Sequence, residues 1–281
     1  MAVATNTADR SRSSAAKEAF FKSISSGFLI FYLLVVVLIL VYTARYSGFD
    51  VYSRVLRDPD IFAALKLSLV TSTITTILAI IVAVPGAYAM SRFNIPGKNI
   101  LDTILDLPIV LPPLIMGVCL SIFFSPRHSH IGQFMTAHGI PGVAYTQTAV
   151  VIAQFMVAAG FTVRCLKATF DSLTPRYEQV ARTLGCSAGG AFFKVTLPLA
   201  KDGIIAGAIM TWARAVGEFG PIIVFAGSFA GKTLVLPTAI FLKMQTGELD
   251  AMAALTVILV IIAAGALLIF KRLVGRQIVF W

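Results

Sequence analysis

The chain has 281 residues, 58% of them apolar and 13% charged, with a mean hydropathy of +0.88. A soluble domain holds about a quarter charged residues, so that class is excluded, and the apolar excess falls in blocks of the roughly 20 residues that a membrane helix needs. The net charge of +10 is spread over several segments, which argues against a nucleic-acid partner. Three cysteines (Cys119, Cys165, Cys186) without metal-ligand spacing argue against a disulfide scaffold.

Residues 1–26 are polar, rich in Ser, Ala and Thr, and predict a flexible cytoplasmic tail. The first apolar run, residues 27–42, is followed by no small-residue cleavage site, so it is expected to remain as a span; with its outer loop it fills 27–60. The remaining apolar blocks are Ile61–Met90, Leu101–Phe124, Thr146–Phe161, Ile204–Phe225 and Ala251–Phe270. The pattern predicts an all-α polytopic membrane protein with six transmembrane helices. Five of these form a core over 61–270, which includes a polar segment at 164–203, and 271–281 form a second cytoplasmic tail.

The basic residues set the orientation. With the N-terminus inside, fifteen lysines and arginines fall on the cytoplasmic side and six on the outer side, namely Arg45, Arg54, Arg57, Arg127, Lys232 and Lys243. That bias favours both termini inside a cell membrane.

Several blocks carry helix breakers. LPIVLPP at 107–113 holds Pro108, Pro112 and Pro113, Pro85-Gly86 lies in the second block, and Gly220-Pro221 in the fifth. Proline removes a backbone donor and clashes with the preceding turn, so kinks or breaks are expected. Backbone groups freed in a bilayer must be covered by protein or line a wet cavity. Three prolines in seven residues point to a pathway or gate, although prolines are also ordinary in membrane helices.

The fifth block contains TWARAVGEFGP at 211–221, which puts Arg214 and Glu218 four residues apart on one helix face. A charge at mid-bilayer costs about 2.5–3.5 kcal/mol on insertion scales, so the two should face each other, the bundle interior or water. Two readings fit: a pair that fixes helix packing, or an Arg214 that serves an anion route with Glu218 holding it. Asp102 and Asp106 open the third block and are expected to be interfacial helix-capping groups. His128 and His130 read as loop residues. No GxxxxGK[ST] loop occurs, so the chain is expected to bind no nucleotide itself and to be no ATPase.

The polar stretch EQVARTLGCSAGGAFFKVTLP, residues 178–198, separates the fourth and fifth blocks. Gly185-Cys186-Ser187 predicts a break between two short helices, with the Ser187 hydroxyl as N-cap, and Arg176 and Arg182 are suited to acidic groups on a partner. This stretch resembles the cytoplasmic coupling segment of membrane subunits of binding-protein-dependent ABC importers, whose pattern is EAA, three residues, Gly, nine residues, I-x-L-P. Gly185 takes the glycine position and Val195, Thr196, Leu197 and Pro198 the closing one. The leading triplet falls on Gln179, Val180 and Ala181, with Glu178 one place early. FNIPGK (93–98), LDLPIVLPP (105–113), ARTLG (181–185), VTLPL (195–199) and WARAVGEFG (212–220) together resemble the molybdate, tungstate and sulfate branch.

The resemblance implies a type I importer permease fold that acts with a second copy of itself, two ATPase subunits carrying ATP and Mg2+, and an extracytoplasmic oxyanion-binding protein. It implies that Glu178, Gln179, Ala181, Arg182, Gly185, Leu197 and Pro198 couple to the ATPase. Arg214, Glu218, Pro112, Pro113 and Gly220 are the expected pathway or gate residues. Molybdate or tungstate is the expected cargo, with a sulfate or thiosulfate permease as the alternative; an ion-coupled secondary carrier and an assembly scaffold are rivals of other classes.

The charge bias makes a topological prediction. In a chain lacking its three cysteines, Ser129→Cys is expected to react with an impermeant thiol reagent from outside intact cells. Labelling only after permeabilisation would reverse the orientation.

Overall fold

The computed structural model describes residues 2–274, and every regular element among them is helical. The N-terminal residues expected to form a flexible tail instead run as helix into the first span, giving α1, Ala2–Tyr46. No glycine or proline interrupts the chain before Gly27, and Glu18 pairs with Lys22 one turn on at 2.8 Å, a spacing that favours helix. The apolar part of α1, Phe20–Tyr46, has none of its most apolar window buried by the rest of the chain. A short amphipathic helix, α2 (Phe49–Arg57), follows and buries Val51 and Val55. These two meet Ile61, Leu236 and Leu255 in one apolar cluster.

Three helices form the centre: α3 (Pro59–Arg92), α7 (Gln147–Ser172) and α11 (Lys201–Val216). Asp58 caps α3 by accepting from the Asp60 N–H at 2.9 Å, with Pro59 in the first turn. The buried face of α3 is a stripe of small residues at three- and four-residue spacing: Ala64, Ser68, Thr71, Thr75, Ala79, Ala83 and Ala87. On α7 it meets Ala149, Ala153, Val157, Leu166 and Phe170, all buried. Small side chains let membrane helices approach closely, which is where their packing energy comes from when lipid is as apolar as the interface. The hydroxyls on the stripe are satisfied locally, as where Ser68 donates to the Ala64 carbonyl at 2.8 Å and Ser72 to that of Ser68 at 2.6 Å. Pro85 lies inside α3 without ending it.

The third apolar block is broken. α4 (Lys98–Val110) and α5 (Pro113–Phe123) meet at 108° across Leu111-Pro112, as the adjacent prolines predict. The fifth block is divided too: α11 stops at Val216, and after Gly217–Pro221 the chain makes one π-helical turn, Ile222–Ala226. Sixteen residues of α11 rise about 24 Å, short of the roughly 30 Å hydrocarbon core. Four helices of the described residues are therefore long and apolar enough to cross a membrane, or five if the bent pair counts as one. The expected sixth crossing is not one helix. A short α6 (His130–Ala137), capped by Ser129, follows α5, and α12 (Leu236–Gln245) follows the π-helical turn. The last helix, α13 (Leu249–Val274), contacts α1, α2 and α12. Residues 275–281 of the expected C-terminal tail lie outside the described residues.

The two broken blocks touch. A Cβ on Gly117 of α5 would stand 2.8 Å from the Cα of Pro221 and 2.9 Å from the Cβ of Val224. Gly117→Val should therefore destabilise the purified protein by about 1–3 kcal/mol, the usual range for overpacking. Thermal unfolding in detergent measures it, and an unchanged midpoint would mean that α5 and the π-helical turn are not in contact.

Candidate functional site

The polar segment folds as α8 (Arg176–Thr183), a turn, α9 (Ala188–Ala191), a π-helical turn (Phe192–Thr196) and α10 (Leu197–Leu199), which runs on into α11. Gly185 sits in the turn at φ +91°, a conformation that glycine accepts without penalty. The Cys186 N–H closes the turn onto the Ala181 carbonyl at 3.0 Å. Ser187 caps α9 by accepting from the Gly190 N–H at 3.1 Å, the role expected of it. A side chain at Gly185 would meet nothing within 4 Å in this chain, so the constraint there is backbone conformation and not internal crowding. Of the residues expected to couple to a partner, Gln179, Arg182, Gly185 and Pro198 are exposed, Leu197 is half-buried and Ala181 is buried.

Glu178 faces inward. Its carboxylate accepts from the Tyr88 hydroxyl at 2.9 Å and from Arg92 Nε at 3.0 Å, both on α3. Arg92 also donates to the Leu173 carbonyl at 2.8 Å, and the paired side chains are 15% and 11% exposed. The Tyr88 ring packs against Phe93, Phe170 and Phe192 with centroids 4.5–5.7 Å apart. α8 is thus tied to α3 by charge, while aromatic packing on Tyr88 joins α3 to α7 and to the π-helical turn at Phe192. Burial alone would raise the Glu178 carboxyl, but the hydrogen bonds from Arg92 and Tyr88 outweigh it and hold the group below the usual carboxylate range.

Arg214 and Glu218 pair as their spacing predicts, with Nη1 2.5 Å from Oε2. Glu218 lies just beyond the end of α11, where its N–H bonds the Ala215 carbonyl at 3.1 Å. Its side chain is 3% exposed while that of Arg214 is 33% exposed. The buried carboxylate therefore anchors a guanidinium that still reaches an open surface. Two residues on, Gly220 is pressed against the start of α5: a Cβ there would stand 2.9 Å from the Leu114 amide and 3.2 Å from Pro113. Pro113 and Gly220, both expected at a gate, are in contact, and Pro112 marks the bend itself.

Asp102 and Asp106 are not simple caps, since Gly97 occupies the N-cap of α4. Both carboxylates turn to Arg164 of α7. Arg164 binds Asp106 through Nε at 2.5 Å and through Nη2, donates to the Asp102 carbonyl at 3.2 Å, and has Nη1 3.5 Å from the Asp102 carboxylate. One guanidinium reaches two carboxylates because they are four residues apart on one face of α4. Tyr88, Arg92, Gln154 and Arg164 were not singled out from sequence. The available signal was polarity in or beside an apolar block, which in a membrane calls for a named partner.

The pH dependence of the Glu178 tie has a definite sign. A carboxyl held low contributes stability that is fully present above its ordinary value near 4.3 and is lost as pH falls through the depressed one. Glu178→Gln should lower stability by about 1.5–3 kcal/mol at neutral pH. The gap to the parent should close only in strong acid. Unfolding midpoints across pH measure it, and a gap that closes already above pH 6 would exclude the tie.

The chain matches the family model for the binding-protein-dependent transport system inner membrane component over residues 75–278. It is 36% identical over 216 residues to the probable transport system permease protein NifC of Clostridium pasteurianum, covering 76% of this chain and 74% of the relative. To the molybdate/tungstate transport system permease protein WtpB of Thermococcus kodakarensis it is 32% identical over 89% of this chain and 93% of the relative. The sulfate transport system permease protein CysT of Salmonella typhimurium is 34% identical over 78% of each. In fold the chain resembles the crystal structure of a bacterial alginate ABC transporter in complex with its alginate pentasaccharide-bound periplasmic protein. The TM-score is 0.68 at 18% identity, covering 92% of this chain and 99% of the matched one. The spans, the capped turn at Gly185 and these matches lead to one conclusion: the chain belongs to the family of inner-membrane components of binding-protein-dependent transport systems.

Proposed function

We propose that the chain is the pore subunit of an ATP-driven importer for a tetrahedral oxyanion, molybdate or tungstate in the first instance. The observation that carries this reading is Arg214, one-third exposed and held by a buried Glu218 at the place where two broken membrane segments meet. A guanidinium presents several donors in a rigid fork suited to an oxyanion, and one fixed by a buried carboxylate needs no reorganisation to do so. The names of the relatives support the substrate class, and sulfate is kept as a second reading because a sulfate permease is 34% identical over 220 residues.

In this reading two copies of the chain form the pore, with both termini cytoplasmic. An outer binding protein delivers the anion. Two ATPase subunits, which carry the ATP and Mg2+, hold the exposed face of α8 to α10. Their movement passes through Gly185 and Ser187, whose turn keeps the segment compact, and through Glu178 to Tyr88 and Arg92. α3 then carries it to α7 and α11, and the Gly217–Pro221 break opens or closes against Pro112 and Pro113.

The test is uptake by vesicles holding the reconstituted permease and ATPase, supplied with each anion and its cognate binding protein. ATP-dependent uptake of molybdate or tungstate is expected, and Arg214→Ala should slow it about 10- to 100-fold, the value of one or two charge-assisted hydrogen bonds. Faster sulfate uptake would select the second reading. Uptake that follows an ion gradient without ATP would overturn both.

A further inference from the structure

Gln154 is a neutral amide in the third turn of α7 and is 1% exposed. Every polar atom of its side chain has a partner on another helix. Its Oε1 accepts from the Thr75 hydroxyl of α3 at 3.1 Å. Its Nε2 donates to the Ala215 carbonyl of α11 at 3.0 Å and approaches the Ser72 hydroxyl of α3 at 3.4 Å. Ala215 O is also the acceptor for the Glu218 N–H. One carbonyl, lying between Arg214 and Glu218 in sequence, thus receives the backbone turn that places Glu218 and the side chain that reaches across from α7.

We propose that Gln154 is the positioning residue for the Arg214–Glu218 pair, fixing the last turn of α11 against α3 and α7 through the Ala215 carbonyl. The Ala215 carbonyl already receives the Glu218 N–H, so the amide adds a bond at its second lone pair, and that bond is the one that ties this turn to another helix. Without the amide, the last turn of α11 keeps its local bond but loses its tie to α7, and the guanidinium four residues before Glu218 is held less firmly. An apolar side chain of the same length fills the same volume but places nothing on the carbonyl. The part played by the amide in transport rests on the pathway reading of Arg214; its part in placing the pair does not.

The experiment is hydrogen exchange on the intact permease–ATPase complex in detergent, read over residues 213–222 and, as an internal reference, over 176–191. Gln154→Met and Gln154→Leu both keep an apolar side chain of similar volume in place of the amide and remove the donor to Ala215. Both should raise exchange over 213–222 by about fivefold, the factor carried by one net hydrogen bond, with no change over 176–191. Ser72→Ala removes only the longer contact and should leave 213–222 near its native rate. Native exchange over 213–222 in both Gln154 variants would overturn the proposal, as would equal effects of Ser72→Ala and Gln154→Met. Vesicle uptake per ATP hydrolysed is measured on the same variants. Faster exchange with reduced uptake supports the positioning role and the pathway reading together. Faster exchange with native uptake supports the positioning role and sinks Arg214 as a pathway group.

Discussion

Inside a bilayer a broken helix survives only if neighbouring protein covers the backbone groups it frees. That requirement governs this fold. The small-residue face of α3 brings α7 and α11 close enough to supply the cover. The end of α11 receives a donor from Gln154, and the N–H of Leu236 at the start of α12 is met by the Ser68 hydroxyl at 2.7 Å. Larger side chains on α3 would separate these helices and leave both ends bare.

α3 is also the element shared by the two parts of the candidate site. At one end it holds the polar segment through Tyr88 and Arg92. Further along it reaches Gln154 through Thr75, and so the turn that carries Glu218. The polar segment and the break never need to touch. A rigid helix of 34 residues, uninterrupted by its own proline, lies against both.

Much of this was legible in the chain. Apolar length alone located α3, α7 and α13, and the adjacent prolines located the bend between α4 and α5. The turn at Gly185 and its Ser187 cap followed from local chemistry, because a left-handed turn and an N-cap depend on few residues. The break in the fifth block was signalled by Gly220-Pro221, but its extent was harder to read: α11 already ends at Val216, and hydropathy averages over the residues between. The helical start of α1 was missed for the opposite reason, since polarity suggested a tail although nothing in the sequence breaks a helix there. The inward turn of Glu178 was not legible because its partner Arg92 lies 86 residues away in the chain. Sequence gives the charge but not the direction in which it turns. Asp102 and Asp106 were misread on the same ground.

The meeting of the two breaks has a consequence for how long an anion would stay there. α11 ends at Val216 with its carbonyls pointing toward the break, while α5 begins at Pro113 with its first amides near Gly220. Each helix end carries about half an elementary charge, negative at the former and positive at the latter, and Arg214 and Glu218 carry one full charge each of opposite sign. The sum is close to zero, although donors remain on offer. On the proposed reading, a crossing point of that kind would recognise an oxyanion by shape and hydrogen bonding without forming a deep electrostatic well, so a passing dianion would be selected and then released.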